Sequence, residues 1–194
     1  REITPRDNPL AAEPDQGRRG TWDRTSVALD PLLGFAVDPT RRTPSPSLSF
    51  DGVGNPTGCG GCIPPDIVGD VGPNHYIQMV NATKVAVFAK NGTPLNTPIN
   101  LGSLWTTGNC TANAGDPIVV YDHLADRWLI SEFAHDGPGN SSTATNFAMC
   151  IAISQTSDPT DNTWYLYDIP TPRFPDYPKF GVWPDGYYMS TYES

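Results

Sequence analysis

The sequence has no run of about 18 apolar residues, so nothing in it reads as a membrane-spanning helix. No window sustains a helical apolar period over three turns, and 21 prolines with 18 glycines act against helix interiors. A Gly-x-Ser-x-Gly elbow is missing, which removes the usual serine-nucleophile signature. Lysine is scarce, and only 17% of the 194 residues are charged. What is present is 38% apolar residues, including five Trp, eight Tyr and seven Phe. That is enough for a packed core and excludes wholesale disorder.

Charge divides unevenly along the chain. Residues 1–45 balance seven arginines against seven acids, whereas the remainder sets five basic residues against fourteen acids and carries the whole net charge of −9. A polyanion would be repelled by that body, so nucleic-acid binding and recruitment to an anionic membrane surface are both disfavoured. Cations are the favoured guests.

Four cysteines remain to be placed: Cys59 and Cys62 within Gly58-Cys59-Gly60-Gly61-Cys62, and Cys110 and Cys150 farther on. Half of a zinc site would need a second Cys-x-x-Cys, which is absent. A thioredoxin-like motif would need a following helix, and Ile63-Pro64-Pro65 follows instead. The expectation is two disulfides formed in an oxidising compartment, Cys59 to Cys62 and Cys110 to Cys150. The chain begins at Arg1 without Met or hydrophobic leader, as a processed secretory protein would.

Residues 1–47 show no sustained apolar period. Thr40-Arg41-Arg42-Thr43-Pro44-Ser45-Pro46-Ser47 reads as an extended, polyproline-like linker, and Leu32-Leu33-Gly34-Phe35-Ala36-Val37 as a docking point of an otherwise extended arm. From Leu48 the pattern becomes β. Short apolar runs such as Tyr76-Ile77-Gln78-Met79-Val80, Lys84-Val85-Ala86-Val87-Phe88 and Phe147-Ala148-Met149-Cys150-Ile151 alternate with turn-forming clusters. The fold class expected is all-β.

Three segments align by hand, led by Asp66, Asp116 and Asp176. Each runs from the aspartate through a short strand and a polar, Pro or Gly turn, then re-enters on an aromatic (Tyr76, Trp128, Tyr187) 10, 12 and 11 positions later. The aspartates recur at intervals of 50 and 60 residues. Such a period suits four-stranded propeller blades, with the loop from Ala134 to Asn146 absorbing the excess. Asp158-Pro159-Thr160-Asp161-Asn162-Thr163-Trp164 supplies a further polar turn before an aromatic. The expectation is a partial β-propeller of about three four-stranded blades over residues 48–194, behind an extended arm. Propellers close on 4 to 8 blades, so the array is expected to be completed by another polypeptide or by a continuation after Ser194.

The phrases Pro65-Asp66 through Gly69-Asp70-Val71-Gly72-Pro73-Asn74-His75-Tyr76, Gly115-Asp116-Pro117-Ile118-Val119-Val120-Tyr121-Asp122 with Ala125-Asp126-Arg127-Trp128, and Phe174-Pro175-Asp176-Tyr177-Pro178-Lys179-Phe180-Gly181-Val182-Trp183 are similar to those of a family of large secreted bacterial proteins, often multidomain, with a propeller-like region. The resemblance covers about residues 62–192. It implies a secreted or cell-surface setting and a propeller that continues beyond Ser194. It carries over no catalytic residue, since the family has no established common reaction.

Three carboxylates leading equivalent innermost strands would gather at one mouth of an axial channel and repel one another unless something neutralises them. A hard cation, most simply Ca²⁺, held by Asp66, Asp116 and Asp176, is one outcome. A glycosidase set, one carboxyl as general acid and another as nucleophile or base, is a second. The third is structural, each aspartate bonding backbone N–H groups at its own turn or strand. His75, His123 and His135 lack metal-ligand spacing. Asn81, Asn91, Asn109 and Asn140 each open an Asn-x-Ser/Thr acceptor sequence for glycosylation. The function expected is a secreted or surface binding and scaffold module contacting glycan or protein through one rim; the alternative is a polysaccharide-degrading hydrolase or lyase.

Overall fold

The computed structural model describes residues 45–54, 61, 63–137 and 143–193. The arm up to residue 44 and the Cys59 to Cys62 pairing lie outside the described residues. Ten strands make three antiparallel sheets. The first holds β1 (Val68–Val71), β2 (His75–Val80), β3 (Lys84–Ala89) and the two-residue β4 (Ile99–Asn100). The second holds β5 (Gly115–Asp122), β6 (Arg127–His135), β7 (Phe147–Ser154) and β8 (Trp164–Thr171), and the third only β9 (Pro175–Trp183) and β10 (Gly186–Glu193). Within each sheet the strands follow chain order, as short turns between antiparallel neighbours dictate. The described residues contain short 3₁₀ turns and no α-helix, and none of their helices is long and apolar enough to cross a membrane. The all-β expectation holds. The third sheet is a two-stranded hairpin rather than a four-stranded one, and the described sheets form no closed ring.

The sheets stand in a row, with β5 between β1 and β9. Strand alternation decides which side chains fill the gaps. Ile77 and Met79 of β2 with Val85 and Val87 of β3 meet Trp128 and Ile130 of β6 and Ala152 of β7, all buried. Each fully buried large side chain there contributes about 1.5–3 kcal/mol, so this layer supplies most of the cohesion between first and second sheets. On the opposite side of the second sheet, Phe133, His135 and Phe147 surround Phe174, which leads into β9. The Cys110–Cys150 disulfide forms, with Cα atoms 5.5 Å apart across 40 residues, and ties the loop before β5 to β7. In the chain-entropy picture it contributes about 4 kcal/mol. At the head of β8, the Asp158 carboxylate accepts from the Thr160 N–H at 2.8 Å and caps the turn Pro159–Asp161, so that polar run is a turn before an aromatic strand, as expected.

Register shows how closely the sheets repeat. The aromatic opening each second strand is paired with Val71, Tyr121 and Val182 respectively. The next residue of each inner strand is therefore Gly72, Asp122 and Trp183. Gly72 faces the Trp128 ring so closely that a Cβ would lie 2.8 Å from Cζ2. Asp122 accepts a hydrogen bond from the Tyr187 hydroxyl at 2.7 Å. In both interfaces one sheet's inner-strand end receives the next sheet's aromatic, by shape in one case and by hydrogen bond in the other. Burial acts against ionisation of Asp122, yet the Tyr187 hydroxyl and the Ala125 and Leu124 N–H groups hold its carboxyl below the ordinary range.

Because Gly72 is required by close approach, Gly72→Ala is expected to destabilise the protein by about 1–3 kcal/mol through overpacking on Trp128. Gly181→Ala, where nothing lies within 4 Å of the added Cβ, is expected to stay within about 0.5 kcal/mol of wild type. Urea denaturation of the two variants checks the contrast.

Candidate functional site

The strand-leading residues meet at one end of the row. Counting five residues back from the aromatic-paired positions gives Asp66, Asp116 and Tyr177, and all three have left-handed backbone, with φ of 38°, 47° and 52°. Aspartate tolerates that region better than most side chains, whereas tyrosine adopts it at a cost and only when its surroundings hold it there. The structural counterpart of Asp66 and Asp116 is thus Tyr177, and Asp176 sits one residue earlier. This is the difference from the sequence alignment, and it accounts for the spacing of 11 to the third aromatic where Tyr177 gives 10, as Asp66 does.

A chain of hydrogen bonds joins these positions. The Asn81 side-chain amide donates to Asp66 Oδ2 at 2.7 Å, and its Oδ1 accepts from the Asp116 N–H at 3.3 Å. Asp116 Oδ2 in turn accepts from the Tyr177 N–H at 3.1 Å. The step from first to second sheet runs through an inserted amide; the step from second to third is direct. Asp176 Oδ1 also accepts from the Tyr177 N–H, at 3.0 Å. A bulge in β5 between Gly115 and Ile118 aims Asp116 along this line. Near the other end of β1, Asp70 Oδ2 accepts from the Tyr121 N–H at 2.7 Å, so the first two inner strands are tied twice.

Electrostatics follow from the crowding. Burial raises the Asp116 pKa above the ordinary carboxylate value, and Asp66 and Asp176 add to the rise, while the Tyr177 N–H offsets part of it. Asp116 therefore lies near both Asp66 and Asp176, and a cavity of about 210 Å³ is lined by Asp66, Asp116, Pro117, Tyr177, Pro178 and Lys179, with Asp176 outside its lining. Lys179 brings the positive charge to this rim, its Nζ 3.5 Å from the centroid of the Tyr177 ring and 2.9 Å from the Pro178 carbonyl to which it donates. Among the described residues no group of three or more His, Cys, Asp or Glu side chains has the arrangement of a metal site. His75 instead lies 3.6 Å from the Asp158 carboxylate, and His135 packs among Phe133 and Phe174.

Several participants carried no sequence signal for their roles. Asn81 was legible only as a glycosylation acceptor, yet its Nδ2 is committed to Asp66 and to the Pro64 carbonyl, the latter at 3.2 Å, and Thr83 of the same triplet is buried. Glu132 likewise carries no sequence signal. It lies in β6 opposite Cys150, is fully buried, and accepts from the Thr83 hydroxyl at 2.5 Å while its Oε1 has no partner. Thr83 is a β-branched residue at φ 44°, so this bond holds a strained turn of the first sheet against the second. Burial pushes the Glu132 pKa up to about 8, against the Thr83 hydroxyl and the Ala114 N–H, which lower it.

Comparison with protein-family models, curated protein sequences and solved structures returned no match to this chain.

Because the folded pKa of Glu132 lies above its unfolded value, the stability linked to it is complete below about pH 4.5 and is lost as pH rises towards about 8. Glu132→Gln keeps an acceptor for Thr83 without the ionisation. Its melting temperature is expected to vary less than that of wild type between pH 5 and pH 8, with the two curves diverging most at the alkaline end; thermal melts across that range check it.

Proposed function

We infer that this chain is a scaffold and binding module of the β-propeller type, belonging to a secreted or cell-surface protein. The observation that carries the reading is the bond chain Asp66, Asn81, Asp116, Tyr177, in which Asp116, central among the carboxylates expected to do chemistry, is engaged in holding its inner strand beside the next, and Asp66 in fixing the Asn81 amide that bridges the first two sheets. A carboxyl that spends an oxygen on a neighbouring strand's N–H is a structural acceptor first, and removing it loosens the sheet row. Sheets that recur with one relation, inner strand beside inner strand, support an arc of blades that further sheets complete. The disulfide supports an oxidising compartment. So does the resemblance of the strand-leading phrases to large secreted bacterial proteins. The rim formed by Tyr177, Lys179 and the adjoining cavity is the surface offered to a ligand; an aromatic face with a lysine above it suits a sugar ring or a protein side chain.

Substitution at Asp116 separates scaffold from hydrolase. Asp116→Asn retains an acceptor for the Tyr177 N–H, tolerates left-handed backbone and removes the like-charge crowding, so its stability is expected to equal or exceed that of wild type. Asp116→Ala loses the bond and places alanine at positive φ, an expected loss of about 1–2 kcal/mol. Across a broad polysaccharide panel wild type is expected to release no new reducing or unsaturated ends. Depolymerisation that Asp116→Asn abolishes while leaving the fold intact would transfer the assignment to the enzyme.

A further inference from the structure

The turn between β2 and β3 reaches the rim with one residue and the interior with another. Asn81, its first residue, donates to Asp66 at 2.7 Å and accepts from the Asp116 N–H at 3.3 Å. Thr83, two residues on and fully buried, donates its hydroxyl to Glu132 at 2.5 Å. Glu132 also accepts from the Ala114 N–H, and Ala114 lies two residues before Asp116. One buried carboxyl therefore grips both of the segments whose neighbouring residues make the Asn81 bridge. The segments are closely fitted: a Cβ on Gly115 would lie 2.7 Å from Asn81 Oδ1, and Asn113 Oδ1 lies 3.4 Å from the Thr83 hydroxyl. Ala82 and Thr83 have φ of 30° and 44°, a conformation such side chains keep only when their surroundings hold them.

Burial sets the response of this carboxyl to pH. Its Oε1 is buried without a partner, and burial outweighs the Thr83 and Ala114 donors that favour the charged form. Lys84 beside Thr83, Asp116 beyond Ala114 and Asp168 across β7 are the charged residues closest along the elements packed on it, and none of them figures among the groups that shift it. A carboxylate disfavoured in the dry interior is favoured in any state that hydrates it, so ionisation draws the protein towards such a state. Cys150, its neighbour across the ladder, is held by strand pairing and by the disulfide, which leaves the two bonded segments as the parts that can give. We propose that Glu132 is a pH-sensing positioning residue for the rim: its ionisation parts the Thr83 turn from the Asn113–Ala114 segment and opens the Asn81 bridge between the first two sheets. The inference deepens the scaffold reading and rests on the rim as its binding surface. The rim cavity is lined by Asp66 and Asp116, the residues that the bridge joins, so its shape is kept while Glu132 is protonated and lost as Glu132 ionises.

Solution NMR of the full chain from about pH 6 to about pH 9 tests it, following the Glu132 carboxyl carbon, the Asn81 side-chain amide and exchange of the Asp116 amide. The Asn81 signal is expected to move with the same midpoint as the Glu132 carbon, near pH 8, and to stay flat in Glu132→Gln. Exchange at Asp116 is expected to match in wild type and Glu132→Gln at the acid end and to be about tenfold faster in wild type at the alkaline end. Thr83→Val keeps the side-chain shape and removes a donor that favours the charged form, so both midpoints are expected to rise together; this comparison decides the matter even where Glu132→Gln does not fold. An Asn81 signal that stays flat while Glu132 titrates, or that still titrates in Glu132→Gln, overturns the switch and leaves the scaffold reading, which the polysaccharide panel decides, standing. Exchange that quickens equally through the β9–β10 ladder marks a general loosening and overturns it as well. So does a Glu132 that titrates in the ordinary carboxylate range.

Discussion

The arrangement depends on polar side chains of one sheet accepting hydrogen bonds from the inner-strand backbone of the next. Backbone N–H groups on a strand's open side must find an acceptor, and a β-strand beside a non-bonded neighbour has none in the ladder. Here a carboxylate or an amide from the adjoining sheet supplies it. Asp70 serves the Tyr121 N–H, Asn81 serves Asp116, and Asp116 serves Tyr177. These bonds fix the inner strands at a set separation and register, and the apolar layer between the sheets packs to that spacing.

The apolar and polar contributions play different parts. Burial of Ile77, Met79, Trp128 and Ile130 provides cohesion without direction, since hydrophobic contact tolerates sliding. Direction comes from the polar contacts at the margins and from the two close fits, Trp128 over Gly72 and the Tyr187 hydroxyl on Asp122. Glu132 belongs to the same class of contact in the least forgiving setting, since a buried carboxyl with an unpartnered oxygen is costly to ionise. It secures the Thr83 turn at the expense of making the first interface sensitive to alkaline pH. Asp122 shows the opposite balance, with enough donors around its carboxylate to keep it charged.

Local pattern carried a good part of the architecture. The alternating apolar runs predict β2, β3, β6 and β7, the spacing of strand, turn and aromatic predicts the inner hairpins, and Cys110 with Cys150 form the expected pair. Of the recurring aspartates, Asp116 has Asp66 and Asp176 as charged neighbours, and only Asp66 and Asp116 line the rim cavity. The remainder was illegible because it is set by tertiary geometry. The left-handed position of the third repeat fell on Tyr177, and no residue-type signal moves an alignment from an aspartate to the tyrosine beside it. Asn81 and Glu132 act across separations of 35 and 49 residues, through contacts that neither period nor motif encodes. Gly72 looks like an ordinary turn glycine in sequence, and only the Trp128 ring packed above it shows that its missing Cβ is what matters.

The Tyr177 amide offers the most direct measurement of these inter-sheet bonds. Its side chain is well exposed, and its N–H is satisfied by Asp116 from the neighbouring sheet and by Asp176 beside it. Amide hydrogen exchange followed by NMR is predicted to show this proton at least about a hundredfold slower than an unprotected amide, with much of that protection lost when Asp116 is replaced by alanine. A Tyr177 amide that exchanges freely in a protein whose β9–β10 ladder is otherwise protected would contradict it.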